Sequence, residues 1–199
     1  YAGSWVFLEE TRGSWPGLIA ALAWVGAIAT VYCTGQIYAS LPTIRQWNQA
    51  LTTPVYLVFA LASGALFLNV LIRGFGGAEQ WCDILVILSL VAAWALKGSY
   101  WRVIDTARER HTVETATGLG ALGKVRLLDP PHCSENYLMR EMGFKIARKH
   151  AQRLRRIAQM LGLFLPRVAT AVMLQADGGL GILLAVIALV SGMIGIALE

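Results

Sequence analysis

Apolar residues along this chain fall in five long runs separated by polar stretches, and each run approaches the roughly 20 residues that a bilayer-spanning helix needs. The runs cover about 16–38, 54–72, 81–101, 157–174 and 179–198. Pro16 stands at the start of the first, a natural first helical position because its missing N–H has no partner there anyway. The fourth is interrupted by Pro166 and Arg167. A shorter apolar piece at 5–8 reads as the tail of an earlier helix or an interfacial segment. Small residues recur four apart in Ala23 and Ala27, Ala188 and Gly192, and Ser191 and Gly195. That spacing puts them on one helix face, where backbones can approach closely. Trp15, Trp81, Trp101, Tyr38 and Tyr100 fall near the ends of runs, where aromatic anchors belong.

The connection at 102–156 breaks the pattern. It holds 12 Lys/Arg and 6 acidic residues, a balance of +6 against +5 for the whole chain, so the remainder sums to −1. Cytoplasmic loops carry the Lys/Arg excess, which places this loop and the 40–53 loop inside the cell. The turns at 73–80 and 175–178 then lie outside, with Arg73 their one basic residue. Phe144, Ala147, Ala151, Leu154, Ala158 and Leu161 recur at helical spacing, and six Lys/Arg with His150 fill the positions between. Such an amphipathic helix can lie on anionic headgroups or receive an acidic partner protein; a solvated extension of the fourth span is the plainer alternative.

Composition supports the membrane reading. Of 199 residues, 56% are hydrophobic and 15% charged, against about 25% charged in a soluble domain, and the mean hydropathy is +0.56. Cys33, Cys82 and Cys133 are far apart, so no zinc or iron–sulfur cradle is expected in this chain. Cys33 and Cys82 read as small buried residues. The run Gly118-Leu119-Gly120-Ala121-Leu122-Gly123-Lys124 fits GxGxxG, but Val125 replaces the Ser/Thr of a phosphate loop and no strand precedes it. A tightly turning docking loop is the better reading. His111, His132 and His150 all lie in the polar connection, so no His pair for a haem falls within a span. Asp83, Lys97 and Arg167 are the ionisable groups of the runs. Lys97 can snorkel, whereas Arg167, deep in the fourth run, is either a functional cation or one carried to the interface by the Pro166 distortion. Gln36, Asn69 and Gln175 are expected to pack between helices.

The segment YASLPTIRQWN at 38–48 offers a phenol, hydroxyls, a guanidinium and an indole at a helix end. A quinone needs hydrogen-bond donors for its carbonyls and an apolar slot for ring and tail. Tyr38, Arg45 and Trp47 are the candidate quinone-binding residues; an interfacial aromatic belt with one arginine is the alternative.

This segment, with TPVYLVFALASGALFLNVL after it, resembles the membrane anchor subunit family of dimethyl sulfoxide reductase. ATGLGALGKVRLLDPPHCSENYLMREMGFKIARKHAQRLRRIA is similar to a proteobacterial branch of that family. The resemblance covers nearly the whole chain. It implies an eight-helix anchor in the bacterial inner membrane, of which the first three helices precede this sequence. It also implies a complex in which one partner subunit carries a molybdenum bis-pterin-guanine-dinucleotide cofactor and another carries iron–sulfur clusters. The anchor holds no haem and binds menaquinone or ubiquinone; the family's quinone-linked histidine would lie in the preceding part. With the basic loop inside, the arrangement resembles the anchor of quinone-linked sulfite dehydrogenase somewhat more than that of an outward-facing reductase.

The expectation is therefore an all-α integral membrane protein with about five spans and one long basic cytoplasmic loop. Three spans lie in 1–101, the loop in 102–156 and two spans in 157–199. Its role would be a non-catalytic quinone-interacting subunit of an oxidoreductase, with membrane lipids and the two soluble subunits as partners and no nucleic acid. A transporter or a purely structural anchor are the other readings.

Overall fold

The computed structural model describes residues 14–106, 112–126, 128, 149–175 and 178–198, and these are helical with no strand among them. In chain order the helices are α1 (Ser14–Ala39), α2 (Thr52–Gly74), α3 (Gln80–Thr106), the short α4 (Val113–Thr117), α5 (Ala151–Gln159), α6 (Leu165–Met173) and α7 (Gly179–Ala197). Four of them, α1 from Gly17, α2, α3 and α7, are long and apolar enough to cross a membrane. This is the architecture of a multi-pass membrane protein. The fourth expected run takes a different form. It is a helical rod in which α5 and α6 are joined through a π-helical turn at Met160–Phe164.

Pro166 explains that turn. An α-helix would satisfy the Gly162 carbonyl with the N–H of residue 166, and proline has none. The Leu165 N–H bonds instead to the Met160 carbonyl, five residues back, and the indole of Trp94 on α3 donates to the Gly162 carbonyl at 3.0 Å. A helix defect is thereby repaired by a side chain from a neighbouring helix.

Packing follows the small residues. α7 packs against α2, α6 and the π-helical turn, while α3 packs against α2 and α6. Ala188, Ser191, Gly192 and Gly195 are all buried on α7, so two of the three small-residue pairs lie at interfaces. A Cβ at Gly195 would collide with the Gly162 backbone. The third pair is different: Ala23 and Ala27 are exposed, because α1 rests mainly on α2 and, from residue 17 on, only its Gly35 is buried, against Thr53. Cys33, expected to be buried, is exposed on the same helix, whereas Cys82 is buried. Trp101 and Tyr100, expected as interfacial anchors, are buried in a cluster with Val55, Trp94 and Ala158. Trp81 is exposed as an anchor should be. Gln175 is exposed rather than packed between helices.

Two polar devices set the ends of the bundle. At the end of α2, Gly76 takes a left-handed φ of 84°. The Gly77 N–H returns to the Ile72 carbonyl and the Gly76 N–H to the Arg73 carbonyl, a Schellman closure that needs a glycine. The tight turn brings Arg73 against Asp83 at 2.8 Å, both side chains almost wholly buried. Asn69 completes the network: its amide donates to Asp83 at 2.5 Å and its oxygen accepts from Arg73 Nε at 3.2 Å. At the other end, the 40–51 segment is tied down by Asn48 donating to the Ala39 carbonyl, Thr52 to the Trp47 carbonyl and Tyr100 to the Gln46 carbonyl. Arg155 of α5 grips Asp105 of α3 with two hydrogen bonds at 2.6 and 3.2 Å. The 40–51 segment and the described ends of the basic connection therefore share one end of the bundle, as the alternation of spans requires.

Candidate functional site

The end that carries these ties also holds a cavity of about 560 Å³, within the size range of small-molecule sites, about 300–1,000 Å³. Its wall combines Val31, Thr34 and Tyr38 of α1, Trp47 of the connecting segment, and Thr52, Val55, Tyr56, Phe59, Ala60 and Ser63 of α2. Lys97 and Tyr100 of α3 and Ile196 of α7 complete it. Four separate stretches of chain thus converge on one space, held together at their loop end by the Tyr100–Gln46 and Thr52–Trp47 hydrogen bonds.

The rings are ordered around Tyr38. Trp47 meets it edge-on with centroids 5.1 Å apart, and Tyr56 stacks on it at 5.5 Å and 16°. Lys97 Nζ lies 4.7 Å from the Tyr100 ring centroid and 5.9 Å from that of Trp101, within cation–π range. Many of the cavity's hydroxyls are already committed. Thr34 donates to the Thr30 carbonyl, Ser63 to that of Ala60, Thr52 to that of Trp47 and Tyr100 to that of Gln46. Tyr38 and Tyr56 stand ring to ring beside these committed hydroxyls, and a phenol can donate one hydrogen bond. The chemistry on offer is an aromatic slot with a phenol donor and a primary ammonium, opening onto apolar wall.

Of the three residues expected at a quinone site, Tyr38 and Trp47 line this cavity. Arg45 is half-buried nearby, its carbonyl accepting from the Gln49 amide, and is not among the lining residues. The cation at the cavity is Lys97 instead. Tyr56, Tyr100 and Lys97 were not expected there. The spacing of Lys97 and Tyr100, three apart on one helix face, is a signal only once α3 is known to pack on α2.

The other expected features sort plainly. The GxGxxG run follows α4 directly, with Gly118 as its C-cap at φ 70° and a 3-10 turn at Leu119–Leu122 whose residues are all exposed. The Glu114 carboxylate of α4 is held below the usual range by its own backbone N–H and by the Thr112 hydroxyl. His150 is exposed at the start of α5, while His111, His132 and Cys133 lie outside the described residues. So do residues 144–148, the first turn of the expected amphipathic helix; Leu154 and Leu161 are half-buried and Ala158 fully buried. Arg167 is exposed on the outward face of α6. No cluster of metal-ligating residues occurs among the described residues. A second, more polar cavity of about 430 Å³ lies at the opposite end, beside Arg73, Asp83, Glu79 and Gln80. Comparison of the chain with protein-family models, with curated proteins and with solved structures found no match.

Proposed function

We propose that this chain is the quinone-interacting membrane anchor of a molybdopterin and iron–sulfur oxidoreductase, of the dimethyl sulfoxide reductase anchor type that its sequence resembles. The observation that supports this reading most directly is the cavity beside Tyr38, Trp47, Tyr56 and Lys97. A quinone head would lie among the rings, taking a hydrogen bond from a phenol or from Lys97, and its isoprenoid tail would run along Val31, Phe59 and Ala60. The protein's contribution is to bind, orient and supply protons; electrons would pass between the quinone and an iron–sulfur cluster of a partner subunit. That partner would dock on the end of the bundle where 40–51 and the basic connection meet. With that end cytoplasmic, a sulfite-oxidising catalytic subunit ranks ahead of a sulfoxide-reducing one, and the helical rod of α5 and α6 serves as a fifth span.

The transporter reading has less support. Its one hint was the helix break at Pro166, and the carbonyl freed there is already taken by Trp94. The test is saturable quenching of tryptophan fluorescence by a short-tailed naphthoquinone, with the full chain in nanodiscs. Lys97→Met and Tyr38→Phe should each weaken binding by about 5–10-fold, the worth of one lost hydrogen bond of about 1 kcal/mol or slightly more, whereas Arg45→Gln should not. Absence of saturable binding in the wild-type chain would leave a structural anchor as the surviving reading.

A further inference from the structure

We infer that the outward face of the α5 rod is a binding site for an acidic phospholipid, distinct from the aromatic cavity. The inner face of this rod is defined by its contacts. Ala158 and Gly162 are buried, Gly162 lies against Trp94 and Gly195, and Arg155 is held by Asp105 while its guanidinium lies 5.2 Å from the Trp101 centroid. Successive helical residues turn by about 100°, which places Arg153, Arg156, Ile157 and Met160 together in an arc of about 100° opposite that inner face. All four are exposed. Along the rod the arc changes character in one step: two guanidinium groups come first, then Ile157, Met160 and, beyond the π-helical turn, Phe164, which are 39%, 61% and 60% exposed.

Cations immediately followed by bare apolar surface on one helix face match the two halves of a phospholipid. From Arg156 to Phe164 the rod rises about 12 Å, which takes a ligand from headgroup depth well into the acyl region. Charge selects the headgroup. Lys149 and Arg102 are further exposed cations at this end of the bundle. The acidic groups among the described residues of the connection are Asp105, which is paired with Arg155, and Glu114. An acidic protein would account for the arginines but not for the apolar strip continuous with them; a phospholipid accounts for both.

The experiment is native mass spectrometry of the full chain, titrated in micelles with phosphatidylglycerol or phosphatidylcholine. Phosphatidylglycerol should be retained selectively. Arg153→Gln with Arg156→Gln should lower its apparent affinity about 30-fold, from about five-fold per cation at a headgroup surface, while Arg153→Lys with Arg156→Lys should stay within about three-fold. Ile157→Ser with Met160→Ser should also weaken lipid binding, and Lys124→Gln should change nothing. Equal retention of the two lipids by the wild-type chain overturns the proposal whatever the variants do. So does displacement of phosphatidylglycerol by millimolar glycerol 3-phosphate, which would mark a free-anion site. Displacement by polyglutamate with no effect of the serine variants would assign the face to an acidic protein, which also overturns it.

Discussion

Replacing Trp94 by Phe should destabilise the bundle chiefly through one lost hydrogen bond, and the structure gives the means to isolate that part. Trp94 is 5% exposed, and its indole donates to the Gly162 carbonyl at 3.0 Å. Phe retains most of the ring and its edge contact with Phe59, whose centroid is 5.4 Å away. What disappears is the donor, leaving a buried carbonyl beside a proline that cannot serve it. An unsatisfied buried acceptor costs about 1–3 kcal/mol, and the smaller ring adds about 1 kcal/mol of cavity. Pro166→Ala separates the two. Alanine restores an N–H at the position that an α-helix would use to satisfy Gly162, so the acceptor is no longer orphaned when the indole is removed. In the Pro166→Ala background, Trp94→Phe should therefore cost only its cavity part, giving a coupling of about 1 kcal/mol between residues 94 and 166. The assay is reversible unfolding in mixed micelles, followed by far-UV circular dichroism across a denaturing-detergent titration. Additivity of the two substitutions within about 0.5 kcal/mol, the usual result for independent sites, would refute the claim that the indole substitutes for the missing N–H.

Two further outcomes can be read in the same titration. Among the described residues, Asp83→Leu leaves the Arg73 guanidinium, 6% exposed, with Asn69 and a long contact to the Met173 carbonyl; a loss of about 3–5 kcal/mol is expected, mostly recovered when Arg73→Met is added, and equal stability of single and double variants would rule out an uncompensated charge as the cause. Gly195→Ala should cost about 1–3 kcal/mol by overpacking, because its Cβ would meet Gly162 backbone. Gly192→Ala presses only on the tip of the Leu66 side chain, with Pro166 at ordinary contact distance, and should cost less; Gly26→Ala, which meets nothing, is the reference for the intrinsic gain of Ala over Gly in a helix.

The spans were legible because length and hydropathy are local properties. The runs expected at 16–38, 54–72, 81–101 and 179–198 correspond to α1, α2, α3 and α7, each shifted by a few residues at most. What each helix faces was less legible. An all-round apolar helix has no stripe to read, so nothing in the sequence of α1 told that Ala23, Ala27 and Cys33 would be exposed. Pro166 marked a break, but its repair by Trp94 joins residues 68 apart and leaves no local trace. The site divides similarly. Tyr38 and Trp47 stand in one short segment whose composition was already suggestive. Tyr56, Lys97 and Tyr100 reach the cavity only through helix pairing, and Arg45, although in the suggestive segment, is not among the lining residues.

That pairing is set far from the cavity. α2 and α3 are antiparallel, and their turn fixes Arg73 opposite Asp83, so residues whose numbers sum to about 156 lie side by side along the hairpin. Leu66 and Leu90 obey this sum and are both buried in the central cluster; Tyr56 and Tyr100 obey it and line the cavity. A helix rises about 1.5 Å per residue, so a slip of a single residue at the Arg73–Asp83 end would carry Tyr56 by that distance past Lys97 and Tyr100. Small-residue packing alone tolerates such a slip poorly but does not forbid it, since Ala62 and Ala65 present similar surfaces. The buried ion pair does forbid it, because a displaced Asp83 would leave a guanidinium without a counter-charge at the cost worked above. The polar network is therefore best understood as the device that sets the geometry of the aromatic cavity, although the two lie at opposite ends of the bundle.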